Sequence, residues 1–400
     1  MRLRHYLGML AAAAASVPLA ASAADSIKIG FPIPMSGFAA VYGVPISKGA
    51  EMAVAEINAK GGVLGRKLEL LERDSKANAD EAVRLSRELI IKDNVDFLVG
   101  TLTSAEAPAV STVAKENKIV FIAPAAETTM LTDPQHIHPY IFRIATNTDV
   151  EGSAGATEMA KWKNVKTVAT ISPDYAYGHD VEAAFIKELK KLRPDITIVD
   201  QQWPKLGEPD FTAFITAQMS KKPDAIHCSL FAGDFVTFSK EAAALGYFKA
   251  VANRVVDGAV VGSTDEAKAL GKDYPYGIIG NAYDPVIWGG GNEPPEHKKF
   301  IADLKNFTHE DFASSWSVIG YQSIYALADG IKKAGDTKSD DVSKALEGLT
   351  FDTPVGKRSF SVKSHETFAP EYWGVMAKEA NYPFAIIKDP QLLPASPVTN

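Results

Sequence analysis

The residues best placed to do chemistry lie in a short loop rich in hydroxyl groups. Leu102, Thr103 and Ser104 follow an apolar strand pattern that ends at Gly100, and a helical pattern begins just after them. Backbone N–H groups and hydroxyls therefore meet at the positively polarised start of a helix, where a carboxylate is stabilised. The loop predicts a site for an anionic group of a small molecule. The same spacing is equally typical of a loop in which Thr103 or Ser104 only caps the helix.

Patterns that indicate catalysis are missing from the sequence. Ser36 lacks the leading glycine of a nucleophile elbow, so we interpret it as a turn residue or a helix cap. His136 and His138 lie on one side of an extended segment, but no third metal ligand follows at a recognisable spacing. Paired carboxylates suited to acid and base catalysis do not occur in a recognisable cleft pattern. We therefore predict no enzymatic activity and no cofactor.

Residues 1–24 have the composition of a signal peptide. Arg2 and Arg4 precede an apolar run from Tyr6 to Ala20, and small residues follow as far as Ala24. The apolar run is shorter than the roughly 20 residues that a membrane-spanning helix needs. We expect cleavage after Ala23 or Ala24 and export to the periplasm.

The charge balance argues against a nucleic-acid partner. The chain of 400 residues has 42 basic and 49 acidic residues and a formal net charge of −7. Phosphate binding requires clustered lysine and arginine side chains, which this balance does not favour. Cys228 is the only cysteine, so no intramolecular disulfide is possible. Its apolar strand pattern predicts a small core residue rather than a nucleophile.

Strand-like and helix-like patterns alternate from Ile27 onward. Such alternation predicts an α/β fold in which helices cover both faces of parallel sheets. Because 400 residues exceed the usual size of one hydrophobic core, we expect two lobes. Changes of character near residues 143–149, 281–295 and 353–360 predict three crossings between the lobes. The predicted limits are 25–146 and 281–352 for lobe 1, and 147–280 and 353–400 for lobe 2.

A set of short motifs resembles one known family. The motifs are Pro34-Met35-Ser36-Gly37, Tyr42-Gly43, residues 49–53, residues 57–67, Asp74, Val99-Gly100, residues 123–126, residues 174–178, Phe211 and Pro223-Asp224. Their order and spacing are similar to those of the periplasmic binding proteins of branched-chain amino acid ABC transporters, the Leu/Ile/Val-binding type. The resemblance covers essentially the whole mature chain. It implies a type I periplasmic binding protein fold: two doubly wound α/β lobes, joined by three crossover segments, that close over a small solute.

The resemblance also implies how lobe 1 holds the ligand. The ligand carboxylate would contact Ser104, with Leu102 and Thr103 lining the wall beside it. The ligand ammonium would contact the backbone carbonyl of Ala125 and a threonine two positions further on. This chain has Glu127 at that second position, which is a departure from the family.

Glu127 has two interpretations. A carboxylate in a pocket is costly unless it meets a cation or hydrogen-bond donors, so we expect Glu127 to contact the ligand ammonium directly. Alternatively, Glu127 faces solvent and Thr128 forms the hydrogen bond to the ligand.

Further contacts are implied around the rest of the pocket. The family's aromatic walls correspond to Tyr42, Tyr177 and Phe231, and Phe231 replaces a tyrosine of the close relatives. Losing that hydroxyl leaves a more apolar wall, which suits an aliphatic or aromatic ligand side chain. Tyr175 is close enough in sequence to contribute. Asp257 is the nearest acid to the position from which the family's second lobe binds the ammonium.

The leading hypothesis for function is a soluble substrate-binding component of an ABC importer. The expected ligand is a branched-chain or other apolar amino acid, and the expected partners are the permease subunits in the inner membrane. A second hypothesis is a protein of the same fold that binds aromatic carboxylates, amides or urea. A third is a ligand sensor that signals to a receptor. We expect a monomer, because one pocket suffices for this mechanism.

Overall fold

The computed structural model describes residues 25–287, 293–367 and 369–393. The predicted signal peptide, residues 1–24, lies outside the described residues, and so does the end of the predicted lobe 2 at residues 394–400. Two separate β-sheets, each covered by helices, organise the described residues, with a short two-stranded sheet beside them. The predicted α/β architecture is confirmed. The lobe limits given above stay a prediction.

The first sheet has five parallel strands in the order β2-β1-β3-β4-β5. The apolar residues of β1 are fully buried, as expected for a strand covered on both faces. The strands are β1 (Ile27–Ile33), β2 (Leu68–Asp74), β3 (Phe97–Val99), β4 (Phe121–Ala123) and β5 (Ile141–Arg143).

The second sheet has seven strands in the order β14-β13-β10-β9-β8-β6-β7. Its last two strands along the chain are antiparallel to their neighbours, an arrangement that the sequence patterns do not predict. The strands are β6 (Thr167–Ile171), β7 (Thr197–Gln202), β8 (Ala225–Cys228), β9 (Val255–Asp257), β10 (Ile279–Ala282), β13 (Glu371–Lys378) and β14 (Ala385–Leu393). The hairpin of β11 (Thr350–Thr353) and β12 (Gly356–Ser359) forms the two-stranded sheet.

Helices fill most of the connections between strands. They are α1 (Ala40–Ala59), α2 (Ala79–Ile91), α3 (Glu106–Asn117), α4 (Thr148–Ala160), α5 (Ala176–Leu192), α6 (Thr212–Lys221), α7 (Ala232–Ala244), α8 (Tyr247–Ala250), α9 (Thr264–Leu270), α10 (Pro295–Thr308), α11 (Ser317–Ala334) and α12 (Ser339–Leu346). Within the part of the chain that the structure describes, none of these helices combines the length and the apolar character that a bilayer span requires.

Helix α1 begins at Ala40, so it includes Tyr42 and Pro45. It packs closely against α11 through two glycines. A methyl group on Gly49 would lie 1.8 Å from the Ser317 carbonyl oxygen, and one on Gly320 would lie 1.9 Å from the Ile46 carbonyl oxygen. This close approach attaches the start of α11 to the first sheet and brings it near Tyr42.

The chain passes three times between the part built on the first sheet and the part built on the second: after β5, after β10 into the segment whose helix α11 packs against α1, and between β12 and β13. Two of these passages are bound together. Arg143, at the end of β5, forms a fully buried ion pair with Glu366 and also donates to the Thr132 hydroxyl at 2.7 Å. The Asn147 amide donates to the other Glu366 oxygen at 3.1 Å. The passages are therefore held by their own buried polar contacts.

Candidate ligand-binding site

A cavity with an empty volume of about 360 Å³ lies between the two sheets. That size falls at the lower end of the range for small-molecule sites. Its walls come from loops at the carboxyl ends of strands and from the first turns of the helices that follow, where open α/β sheets bind ligands. The lining residues are Tyr42, Leu102, Thr103, Ser104, Ala125, Glu127, Glu151, Tyr175, Tyr177, Phe231, Ala259, Val260 and Trp316.

Most of the predicted site residues meet in this cavity, although the sequence separates them widely. Tyr42, Leu102, Thr103, Ser104, Ala125, Glu127, Tyr175, Tyr177 and Phe231 are among the lining residues. Thr128 and Asp257 are not. The lining residues that sequence reasoning missed are Glu151, Ala259, Val260 and Trp316.

In the hydroxyl-rich loop between β3 and α3, several hydrogen-bonding groups already have partners within the protein. The buried Glu106 carboxylate accepts hydrogen bonds from the Thr103 backbone N–H at 3.0 Å and the Thr103 hydroxyl at 2.9 Å. In return, the Thr103 hydroxyl accepts from the Glu106 N–H at 3.2 Å, so Thr103 caps the helix. The Ser104 hydroxyl accepts from the Thr128 N–H at 3.1 Å. Ser104 therefore still has its own proton to donate towards the cavity.

Glu127 is buried and lines the cavity, so the solvent-facing alternative is not what the structure shows. The Tyr283 hydroxyl donates to one of its carboxylate oxygens. Burial raises the pKa of Glu127 to about 8, and the neighbouring Glu371 carboxylate also raises it. Thr128 is engaged elsewhere, because its hydroxyl donates to Asp180 at 2.6 Å.

Two further glutamates lie beside Glu127. One carboxylate oxygen from each of Glu127, Glu151 and Glu371 lies within 4.8 Å of the others, and we call these residues the carboxylate triad. The Tyr177 hydroxyl donates to Glu151 at 2.7 Å, and the Trp373 indole donates to Glu371 at 3.1 Å. Burial and the neighbouring carboxylates raise the pKa values of Glu151 and Glu371 well above their ordinary range.

No local sequence signal identifies Glu151 or Glu371. Glu151 lies in the first turn of α4, where an acidic residue is ordinarily explained by the helix dipole. Glu371 begins β13, more than 200 residues later in the chain, and only the folded sheet brings it to α4.

Aromatic rings form much of the cavity wall. Tyr42 stacks on Trp316 with ring centroids 4.1 Å apart. Phe231 contacts Tyr177 edge to face at 5.8 Å and is also close to Tyr175, at 6.4 Å. Such rings suit an aliphatic or aromatic ligand body. Trp316 was missed because nothing in its local sequence distinguishes it from a core tryptophan.

Tyr42 also connects the two lobes across the cavity. Its hydroxyl, carried by a helix of the first sheet, accepts from the Ala232 N–H at 3.0 Å and donates to the Ala259 carbonyl at 3.4 Å. Burial is the main reason that the pKa of the Tyr42 phenol is raised. The lobes are therefore in direct contact at this edge of the site.

Asp257 lies behind the cavity wall, at the end of β9. It accepts from the Ala259 N–H at 3.0 Å, and burial raises the pKa of its carboxyl group. Ala259 and Val260, just after it, line the cavity instead. Ligand binding by Asp257 stays a prediction, whereas Glu151 offers a carboxylate in the wall itself.

The cavity has a strongly one-sided charge. Among the described residues, no lysine, arginine or histidine lines it, whereas Glu127 and Glu151 do. The nearby Arg143 guanidinium is already bound to the Thr128 carbonyl at 2.7 Å, to Thr132 and to Glu366. The only serine hydroxyl in the wall, that of Ser104, is paired with a backbone N–H instead of a base. The arrangement therefore favours binding of a solute that brings hydrogen-bond donors or positive charge.

Two doubly wound α/β lobes with one small cavity between them define a two-lobed solute-binding protein of type I architecture. The family model described as "Periplasmic binding protein" matches residues 26–380. The chain belongs to this family.

Several known proteins are similar over nearly the whole length. A Leu/Ile/Val-binding protein of Rhizobium johnstonii is 29% identical over 365 residues, covering 90% of this chain and 93% of that protein. A leucine-, isoleucine-, valine-, threonine- and alanine-binding protein of Pseudomonas aeruginosa is 25% identical, covering 85% and 87%. The solute-binding protein of an ABC transporter from Rhodopseudomonas palustris, solved with 3,4-dihydroxybenzoic acid, superposes with a TM-score of 0.82 at 25% identity, covering 92% and 98%.

Proposed function

We propose that this protein is the exported substrate-binding component of an ABC importer and that it captures an apolar amino acid in the periplasm. The bound protein would dock on permease subunits of the inner membrane as a monomer, without transforming the solute. One observation carries the proposal: a small cavity, enclosed by both lobes, is lined by aromatic rings and by buried carboxylates. The names of the similar proteins from Rhizobium johnstonii and Pseudomonas aeruginosa support the ligand class.

The proposed roles follow the chemistry of the walls. The aliphatic part of the ligand packs against Tyr42, Phe231 and Trp316. The Ala125 carbonyl and the Glu127 carboxylate accept hydrogen bonds from the ammonium group. On the other side, the Ser104 hydroxyl donates to the ligand carboxylate.

Calorimetric titration with a panel of solutes tests the proposal. Leucine, isoleucine and valine are expected to bind, and Glu127→Gln is expected to weaken that binding at least about tenfold, because it removes a buried negative charge beside the ammonium. Glu182→Gln is the matched control: Glu182 is buried but accepts from Ser172 and Gln201, away from the cavity. Failure of every amino acid in the panel, or unchanged affinity in Glu127→Gln, would reject the assignment.

A second candidate ligand is a neutral aromatic or aliphatic amide, or urea. The aromatic rings in the walls favour it, and the similarity to the protein solved with 3,4-dihydroxybenzoic acid supports an aromatic ligand body. An anionic aromatic acid fits less well, because no cationic side chain among the described residues lines the cavity and two carboxylates do. Benzamide, urea and 3,4-dihydroxybenzoate therefore belong in the same titration series. Tight binding of benzamide or urea without amino-acid binding would establish this second candidate.

A further inference from the structure

The carboxylate triad is an unusual group because its members have more negative charge than their surroundings compensate. Glu127, Glu151 and Glu371 are only 5%, 1% and 1% exposed, so water does not screen them. Each has one oxygen for which the described residues provide no hydrogen-bond donor. Three ionised carboxylates cannot coexist at this distance in a buried site, so protons or a cation must share the space.

The surroundings of the triad supply mainly neutral donors. Each carboxylate accepts one hydrogen bond from a tyrosine or tryptophan, and the charged groups around them are distributed unevenly. Arg143 stabilises the ionised form of Glu127, and the Glu151 carboxylate raises the pKa of the neighbouring Asp257. The titratable groups that face the triad are Arg143, Tyr175, Tyr177, Asp257 and Tyr283. Because Arg143 is already paired with Glu366, no cation of the described chain is available to neutralise all three carboxylates.

We propose that Glu127, Glu151 and Glu371 form one proton-exchange subsite, which holds a proton while the cavity is empty and releases it when the cationic nitrogen of the solute enters. The inference rests on the proposed function and specifies how the ligand's charge is accepted. The proton shared between carboxylate oxygens leaves to solvent water, and the N–H groups of the incoming ammonium take its place as hydrogen-bond donors. Glu127 lies in the loop after β4 of the first sheet, Glu151 in α4 and Glu371 in β13 of the second sheet, so the same exchange ties both lobes to the ligand.

A divalent metal ion suits the triad less well than an organic cation. Calcium takes six to eight oxygen ligands, and magnesium needs a near-octahedral set. Three carboxylates, each already sharing an oxygen with a tyrosine or tryptophan donor, do not supply such a set. A primary ammonium needs only three acceptors. Glu127 and Glu151 also open onto the aromatic cavity, so the body of an organic cation has a place to pack.

Three probes with the same aliphatic body separate the possibilities: L-leucine, 3-methylbutylamine and 4-methylpentanoate. L-leucine carries both charged groups, 3-methylbutylamine carries only the ammonium, and 4-methylpentanoate carries only the carboxylate. Titration calorimetry of the full mature protein, in two buffers with different ionisation enthalpies, gives both the affinity and the number of protons released. We expect leucine and the amine to release about one proton each at pH 7, and 4-methylpentanoate to bind at least about tenfold more weakly than leucine.

Glu371→Gln is the informative variant, because Glu371 belongs to the triad but does not line the cavity. In the unmodified protein, the association constant for leucine should rise about tenfold per pH unit where one proton is released. Without the third carboxylate, the remaining two ionise more readily, so the slope with pH and the proton release should both fall by half or more. Glu151→Gln is the second variant, and Glu182→Gln is the control that should keep the slope.

Each result decides the question. Ammonium-bearing probes that bind without proton release would overturn the exchange but leave solute capture intact. Tighter binding of 4-methylpentanoate than of the amine would overturn the cationic subsite. Stoichiometric metal in the purified protein, with leucine binding lost after chelation, would assign the triad to a metal instead. If none of the three probes binds, the proposed amino-acid ligand fails together with this inference.

Discussion

The Arg143–Glu366 pair and the carboxylate triad are both clusters of buried charged side chains, and they differ in whether a counter-ion is present. The Arg143–Glu366 pair at the lobe crossings is complete: the carboxylate has a guanidinium, a hydroxyl and an amide as partners. The carboxylate triad, beside the cavity, has three acidic side chains and no ion pair with a cation among the described residues. Both groups are shielded from water. The first group therefore has its counter-ion within the fold, whereas we propose that the second is completed by a proton or by the ligand.

The largest expected effect is the loss of stability on breaking the Arg143–Glu366 ion pair. Arg143→Met leaves Glu366 as an uncompensated buried charge, and we expect it to lower the free energy of unfolding by about 3–5 kcal/mol. Urea denaturation followed by circular dichroism measures the change. Arg84→Met, which removes an exposed ion pair with Glu81 and Glu88, is the control and should cause no measurable loss. An equally small effect for Arg143→Met would remove the contrast between the two groups.

The triad should make the free energy of unfolding fall as pH rises, which is opposite to the effect of a carboxylate whose pKa is lowered by folding. Because the folded-state pKa of Glu127 is raised from 4.5 to about 8, the folded protein holds a proton that the unfolded chain has already lost above pH 5. This contribution to stability is complete below about pH 4.5 and is lost as pH rises towards 8, by about 1.4 kcal/mol per pH unit for each proton.

Glu127→Gln should remove the Glu127 share of that slope from the ligand-free protein and make it more stable than the unmodified protein at pH 8. Denaturation curves at pH 5, 6, 7 and 8 provide the comparison, with Glu182→Gln expected to follow the unmodified protein. If Glu127→Gln kept the full slope, Glu127 would not hold the proton.

The smallest effect should come from the contact that joins the lobes beside the cavity. Tyr42→Phe keeps the stacking on Trp316 but loses the hydrogen bonds to Ala232 and Ala259. We expect a loss of about 1 kcal/mol in leucine binding, measured by calorimetry. Tyr325→Phe, whose hydroxyl contacts Glu56 away from the cavity, is the matched control. A loss as large as that expected for Glu127→Gln would show that the aromatic edge, and not the carboxylates, dominates binding.

The sequence was informative where short-range patterns determine structure. Alternating apolar runs predict the parallel strands of both sheets, and the loop after Gly100, predicted to bind an anionic group, contributes Ser104 to the cavity wall. The antiparallel strand β13 was not predicted, because strand direction depends on a partner that is distant in sequence. Glu371 was missed for the same reason: only the pairing of β13 with β10 brings it to the site. Trp316 depends on the glycine-mediated packing of α1 against α11, which no local pattern reveals.

A crystal structure of the protein with bound leucine would show whether the carboxylates of the cavity bind the ligand nitrogen. We expect the ligand in the cavity between the lobes, with its nitrogen within hydrogen-bond distance of Glu127 and Glu151 and its side chain against Trp316. A ligand bound outside the cavity, or one whose carboxylate faces the triad, would contradict it.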